Sequence, residues 1–240
     1  MGWALVTGAG IRVGRAIALQ LAKEGCDLVL HANSSVSALE SLAVEVEGLG
    51  RKTLMLTADL GDRTDRDRWI EEVRGEVESL DLLVNNAAIY DASPLKDIDY
   101  PQWDRMMAVN LEAPFFIIRG FIDLLRRGQA PLVVNITDSG LNWPDTGYSH
   151  YFAAKSGLAM LTRVLALELA PEVRVNAVAP GTVAFPPDFD AVQREEIVAQ
   201  IPMEKIGTPE DIAQAVSFLY KAGDFVTGQT LSIDGGRSAC

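Results

Sequence analysis

Six short runs of apolar residues recur along the 240-residue chain, at 4–7, 27–32, 53–57, 82–85, 132–137 and 174–179. Nearly every position in these runs is apolar, with no alternation of polar residues. Strands of that kind must be covered on both faces, as happens in parallel sheets flanked by helices. The stretches between them read as helices at 12–24, 36–49, 65–77, 101–127 with a bend expected at Pro114, and 149–169. Repeated strand–helix units predict one doubly wound, Rossmann-type α/β sheet with helices on both faces. Ligands in that architecture bind beyond the carboxyl ends of the strands, so the residues just after each run carry the functional weight.

The pattern loosens after Pro180 and Gly181. The segment that follows contains Pro186-Pro187, a short helical stretch at 192–199 and Pro202, and it reads as a substrate lid at about 183–205. Thr208 with Pro209 looks like a capped helix start, and the helix runs to Lys221 before a last strand at 230–233. The whole of 1–240 is therefore expected to form one dinucleotide-binding domain.

Lys and Arg number 21 against 33 Asp and Glu, a net charge of −12. Such a surface repels phosphate backbones and anionic lipid, which argues for a small-molecule substrate and against nucleic-acid or membrane partners. No apolar run reaches the ~18 residues of a spanning helix. The first strand begins by Trp3, leaving no room for a signal peptide. Cys26 and Cys240 are too few for a disulfide framework. The expectation is a cytoplasmic protein with reduced thiols.

The first run leads into Thr7-Gly8-Ala9-Gly10-Ile11-Arg12-Val13-Gly14 and then a helix. Glycines there permit a tight turn and close approach of backbone to phosphate, while the helix start offers free N–H groups. Gly10 and Gly14 stand one residue too far apart for the strict dinucleotide spacing. An acid at the end of the second run would accept from the ribose 2′-hydroxyl of NAD. Here that segment is His31-Ala32-Asn33-Ser34-Ser35. With no acid to repel a 2′-phosphate, and with Ser34 and Arg12 at hand, NADPH is the expected cofactor. His31 itself reads more easily as a neutral residue finishing a strand than as a phosphate ligand, and His150 as a helix-start residue.

Tyr151 and Lys155 are four apart and share a helix face. The ammonium is expected to favour ionisation of the phenol and make it a proton donor nearer neutrality. Thirteen residues before the tyrosine stands Asp138, with Ser139 beside it. A carboxyl at a strand mouth is costly without partners, so Asp138 is expected to handle protons alongside Tyr151. Ser139, one residue closer, is the alternative partner.

The motifs at 7–14, Asn85-Asn86-Ala87-Ala88, Asn110, Tyr151 with Lys155, and Pro180-Gly181 occur in the order found in the short-chain dehydrogenase/reductase family, which the chain resembles over essentially its whole length. The resemblance implies Tyr151 as proton donor, Lys155 as its modulator and ribose ligand, and Asn110 as support for a water relay. It implies cofactor contacts at Gly8, Ile11, Arg12, Val13, Gly14, Asn33, Ser34, Asp59, Leu60, Asn86, Ala87, Lys155, Pro180, Gly181 and Val183, with Asp59 toward adenine. A homotetramer is implied as well. Arg12 in place of a small residue, and Asp138 in place of serine, resemble the pteridine reductase branch, which includes dihydromonapterin reductases. Tyr90 is placed there to sandwich a pterin, and Tyr148 precedes Tyr151 by one turn. On that resemblance Arg12, Tyr90, Asp138, Tyr148 and Tyr151 face the substrate, and the expected reaction is NADPH-dependent reduction of a dihydropterin C=N bond. Reduction of a ketone such as a 3-oxoacyl thioester is the alternative, and a non-catalytic NADP(H) sensor a second one. No metal site is expected.

Overall fold

The computed structural model describes residues 2–185 and 189–239. Its core is a seven-stranded parallel sheet of order β3-β2-β1-β4-β5-β6-β7. The strands are β1 (Trp3–Val6), β2 (Asp27–Ala32), β3 (Thr53–Thr57), β4 (Leu80–Asn85), β5 (Leu132–Ile136), β6 (Arg174–Pro180) and β7 (Thr230–Ile233). Strand order reverses between β1 and β4, which opens a crevice at their carboxyl ends.

Successive strand residues supply opposite cores. Ala4 and Val6 of β1, Leu28 and Leu30 of β2, and Val134 of β5 join α1 (Arg12–Lys23), α2 (Val36–Gly48) and α8 (Pro209–Lys221) on one face. Leu5, Val29 and Val133 point the other way, onto α3 (Arg63–Glu76), α5 (Ala113–Arg126) and α6 (Ser149–Glu168). Each fully buried leucine or valine contributes roughly 1.5–3 kcal/mol, so a strand feeding two cores is held twice. The expected all-round burial fails only at the edges: β3 and β7 are partly exposed because each has a neighbour on one side alone. α6 packs against the sheet, with Leu158 and Leu165 buried and Leu161 and Leu169 partly so.

The expected helix at 101–127 is three pieces. α4 (Tyr100–Met107) passes into a π-helical turn, Ala108–Glu112, before α5 begins. The break precedes Pro114 and centres on Asn110, so the proline restarts the helix where its missing N–H costs nothing. In the lid region, α7 (Ala191–Ala199) opens on an Asp190–Gln193 capping box. Thr208 caps α8 through its side chain, as the sequence suggests. Pro186-Pro187 of the expected lid and Cys240 lie outside the described residues, while Cys26 is a buried free thiol. Among the described residues no helix is long and apolar enough to cross a membrane, and no acid, histidine or cysteine cluster is fit to hold a metal.

Candidate active site

The glycine-rich turn is clasped from both sides. The Thr7 hydroxyl accepts from the amides of Asn86 and Ala87, both at 2.9 Å. The Asn86 amide group donates to the carbonyls of Thr7 at 2.9 Å and Gly8 at 3.1 Å. A Cβ on Gly14 would stand 2.1 Å from the Gly8 carbonyl oxygen, so only glycine lets the first turn of α1 pack on the loop. Arg12 has φ 51, a left-handed conformation that explains why glycine is the easy choice at this position. Its exposed guanidinium has no hydrogen bond or ion pair among the described residues. Ile11 is exposed beside it, and Val13 packs toward the core.

Asn33 and Ser34 follow β2 at the surface, with no acid among them. Asp59 and the buried Leu60 follow β3. Arg105 of α4 donates to both Asp59 oxygens, at 2.7 and 2.9 Å, a contact that sequence spacing did not signal across 46 residues. Gly181 closes β6 by donating its amide to Ile233, and Val183 packs beside the α1–α8 core.

At the mouth of β5, Asp138 is fully engaged. Its Oδ1 accepts from the Gly140 amide at 2.6 Å, and its Oδ2 accepts from the Tyr151 hydroxyl at 2.6 Å. Ser139, the alternative partner, is completely buried and makes no hydrogen bond to Tyr151 among the described residues; the carboxylate its hydroxyl influences is that of Asp234. Lys155 points its Nζ at the Ile136 carbonyl, 2.8 Å away, and lies 5.8 Å from the Tyr151 ring centre. Here the electrostatic expectation is corrected. Burial, then the Asp138 carboxylate, drives the Tyr151 phenol above its ordinary range. Burial also pushes Lys155 down to about 8, with Asp138 opposing. Protein groups alone therefore keep this phenol protonated.

Asn110 sits buried in the π-helical turn, donating to the carbonyls of Ile89 at 3.1 Å and Met106 at 3.2 Å. Tyr90 lies flat on Tyr148, with ring centres 4.3 Å apart and planes 7° apart. It also meets Tyr151 edge-on at 4.7 Å. Tyr90 is 52% exposed, at the mouth of the site. His150 is buried at the start of α6.

Sequence reasoning did not anticipate how the lid region joins this wall. Arg237 of the C-terminal tail stacks its guanidinium 3.5 Å above the Trp143 ring and bonds Gln200, just beyond α7. An arginine near the chain end carries no local signal of that contact.

A parallel sheet that reverses order over a glycine-rich turn, with a tyrosine and lysine four apart beside the crevice, defines an oxidoreductase of the short-chain type. The chain belongs to the short-chain dehydrogenase/reductase family. A family model described as enoyl-(acyl carrier protein) reductase matches residues 8–238. The 3-oxoacyl-[acyl-carrier-protein] reductase FabG of Staphylococcus aureus is 34% identical over 238 residues, covering 97% of this chain and 96% of that protein. Among solved structures, the angucycline C-6 ketoreductase LanV with bound NADP superposes with a TM-score of 0.92 at 27% identity, covering 100% of this chain and 96% of that one. A blue fluorescent protein from a metagenomic library, in complex with NADPH, gives a TM-score of 0.90 at 31% identity, with 98% and 97% covered. These names favour the alternative expectation, ketone reduction, over pteridine reduction.

Proposed function

We propose that this chain is an NADP(H)-dependent reductase of a polarised double bond, with Tyr151 as the proton donor. The observation that carries the reading is the buried hydroxyl of Tyr151, held by Asp138 at 2.6 Å beside Lys155. The cofactor fits the residues present. Gly8 and Gly14 keep the turn clear of side chains, the start of α1 offers unpaired N–H groups, and nothing acidic follows β2. Ile11, Arg12, Val13 and Gly14 would hold the phosphates, with Gly8 letting them approach the backbone, Asn33 and Ser34 would hold the 2′-phosphate, and Asp59 and Leu60 the adenine. Asn86, Ala87, Lys155, Pro180, Gly181 and Val183 would line the nicotinamide side. When bound, NADPH supplies the hydride.

The chain's own chemistry is proton delivery. Tyr151 carries the proton, and the positive charge of Lys155 would stabilise the phenolate that remains once it is given up. Asn110 would anchor the route by which that proton is replaced. Ketone reduction, with a 3-oxoacyl thioester as one candidate, is the substrate class that the named relatives support.

One feature favours a second reading, a dihydropterin. A carboxylate, and not a hydroxyl, partners Tyr151, and Tyr90 backed by Tyr148 presents a flat ring for stacking. Asp138 would then share protonation of the ring nitrogen, with Arg12 facing the substrate. Loss of NADPH absorbance on a panel of 3-oxoacyl thioesters, simple ketones and dihydropterins separates the two. Turnover of ketones with none of pterins removes the second reading, and the reverse removes the first. A chain that binds NADPH and turns over nothing on the panel is a sensor. A single domain of 1–240 with a lid at about 183–205, a cytoplasmic homotetramer, belongs to the same proposal. Exposed Met160, Val164 and Leu167 on one face of α6 support association.

A further inference from the structure

We propose that His31 is a positioning residue of the cofactor cradle, a neutral imidazole that orients the glycine-rich turn against the end of β3. The proposal rests on the NADP(H) reading above. His31 is the penultimate residue of β2 and is only 2% exposed. Its Nδ1 stands 3.2 Å from the amide nitrogen of Gly8, and its Nε2 stands 3.0 Å from the carbonyl oxygen of Ala58. An amide can only donate and a carbonyl can only accept. The two contacts together therefore select one tautomer, with the lone pair on Nδ1 and the proton on Nε2. Trp69 meets the ring nearly edge-on at 5.1 Å, which limits its rotation.

His31 acts on the cofactor cradle through backbone N–H groups. The amide of Gly8 is taken by the His31 ring, and the amide of Ala9 donates to the His31 carbonyl at 2.8 Å. One residue thus turns two consecutive N–H groups inward. The N–H groups at the start of α1 have no intrahelical acceptor and are the ones left to meet a phosphate. At its other nitrogen the ring grips Ala58, the residue before Asp59, whose carboxylate is held by Arg105 and the Gly61 amide. The side chain therefore spans the phosphate side and the adenine side of the crevice.

The ring stays neutral in this setting. Burial pushes its pKa down to about 4, against opposing pulls from the Ala58 carbonyl and the carboxylates of Asp65 and Asp59. A proton on Nδ1 would set N–H against N–H at Gly8.

Three variants dissect the two bonds. His31→Phe keeps the volume and the contact with Trp69 but loses both. His31→Asn places an oxygen near the Nδ1 position and can still accept from Gly8. His31→Gln places an amide N–H near the Nε2 position and can still donate to Ala58. The readouts are NADPH affinity by fluorescence titration, kcat at saturating NADPH, and thermal unfolding. The expected result is a rise in the NADPH Kd of roughly tenfold in His31→Phe, one net hydrogen bond's worth. Its kcat should stay within about twofold, since positioning acts on binding. His31→Asn should recover most of the affinity and His31→Gln less. Folded His31→Phe with wild-type affinity overturns the proposal, as does equal weakening in the two amide variants. If His31→Phe does not fold, the ranking of Asn over Gln decides. A wild-type chain that binds no NADPH overturns the NADP(H) reading as well, which separates the two failures.

Discussion

The hydroxyl of Tyr151 donates to Oδ2 of Asp138 at 2.6 Å, across thirteen residues that leave β5, make a short turn and enter α6. The carboxylate both fixes the phenol and raises its pKa, after burial, so the phenol holds its proton tightly. Tyr151→Phe removes the proton and should lower kcat by about 10²- to 10⁴-fold with NADPH affinity unchanged. Asp138→Ser separates the substrate readings. Ketone turnover should survive it within about threefold, whereas dihydropterin turnover should fall at least tenfold if the carboxyl shares the proton. Steady-state kinetics on both substrates provide the check, and equal effects would contradict a special role for the acid.

Burial of Lys155 costs the fold stability. The buried amine gives up its proton near pH 8, while in the unfolded chain it keeps it to about 10.5. Folding is therefore opposed by this group below about pH 8, and the penalty fades as pH rises toward 10.5. Lys155→Met should stabilise the chain at pH 7 by roughly 1–2 kcal/mol, after the lost bond to the Ile136 carbonyl is counted. That corresponds to about 2–6 °C in Tm. The gain should vanish by pH 10, and activity should be lost throughout. Thermal unfolding of both proteins across that range tests the sign.

Gly14 admits no side chain. An alanine Cβ would meet the Gly8 carbonyl oxygen at 2.1 Å, which the loop can relieve only by moving away from α1. Gly14→Ala should cost roughly 1–3 kcal/mol of stability and weaken NADPH at least tenfold by the same displacement. Calorimetric titration gives the affinity. Wild-type binding in the variant would mean that the phosphates sit elsewhere.

Glu112 ends the π-helical turn that carries Asn110 and holds two arginines. Arg63 and Arg66 donate to it at 2.7 to 2.9 Å, and their hydrogen bonds, that of Arg63 foremost, hold its carboxyl down to about 2. The Arg66 side chain is only 2% exposed, so removing its counter-charge strands a buried cation. Glu112→Gln should destabilise by roughly 3 kcal/mol. Chemical denaturation at neutral pH measures it. The deficit should shrink as pH falls from the ordinary glutamate value of 4.5 toward about 2, where the wild-type glutamate is itself neutralised.

Much of the layered architecture is legible in local pattern. Runs such as Leu28-Val29-Leu30 and Leu132-Val133-Val134 are apolar at every position because each residue must satisfy one of two cores, and that demand is written residue by residue. The glycine turn, Thr208 as a cap, and the pairing of Tyr151 with Lys155 on one face are likewise short-range signals. The interruption at Ala108–Glu112 is not, since Pro114 draws attention to the wrong end of it. The turn centres on Asn110, whose carbonyl acceptor on Ile89 comes from another part of the chain.

The primary structure alone therefore settled the strand–helix alternation, the glycine-rich turn and the choice of Asp138 as a candidate, because burial, turn and capping preferences act over a few residues. Folding in three dimensions decided which polar atoms meet. It set Tyr151 on Asp138 while Ser139 faces inward, turned Lys155 to a backbone carbonyl, placed Arg105 on Asp59, and seated His31 between Gly8 and Ala58. Apart from the pairing of Asp138 with Tyr151, those contacts follow from strand order and helix placement, and hydrogen bonds reach only about 3 Å, so residue spacing did not signal them.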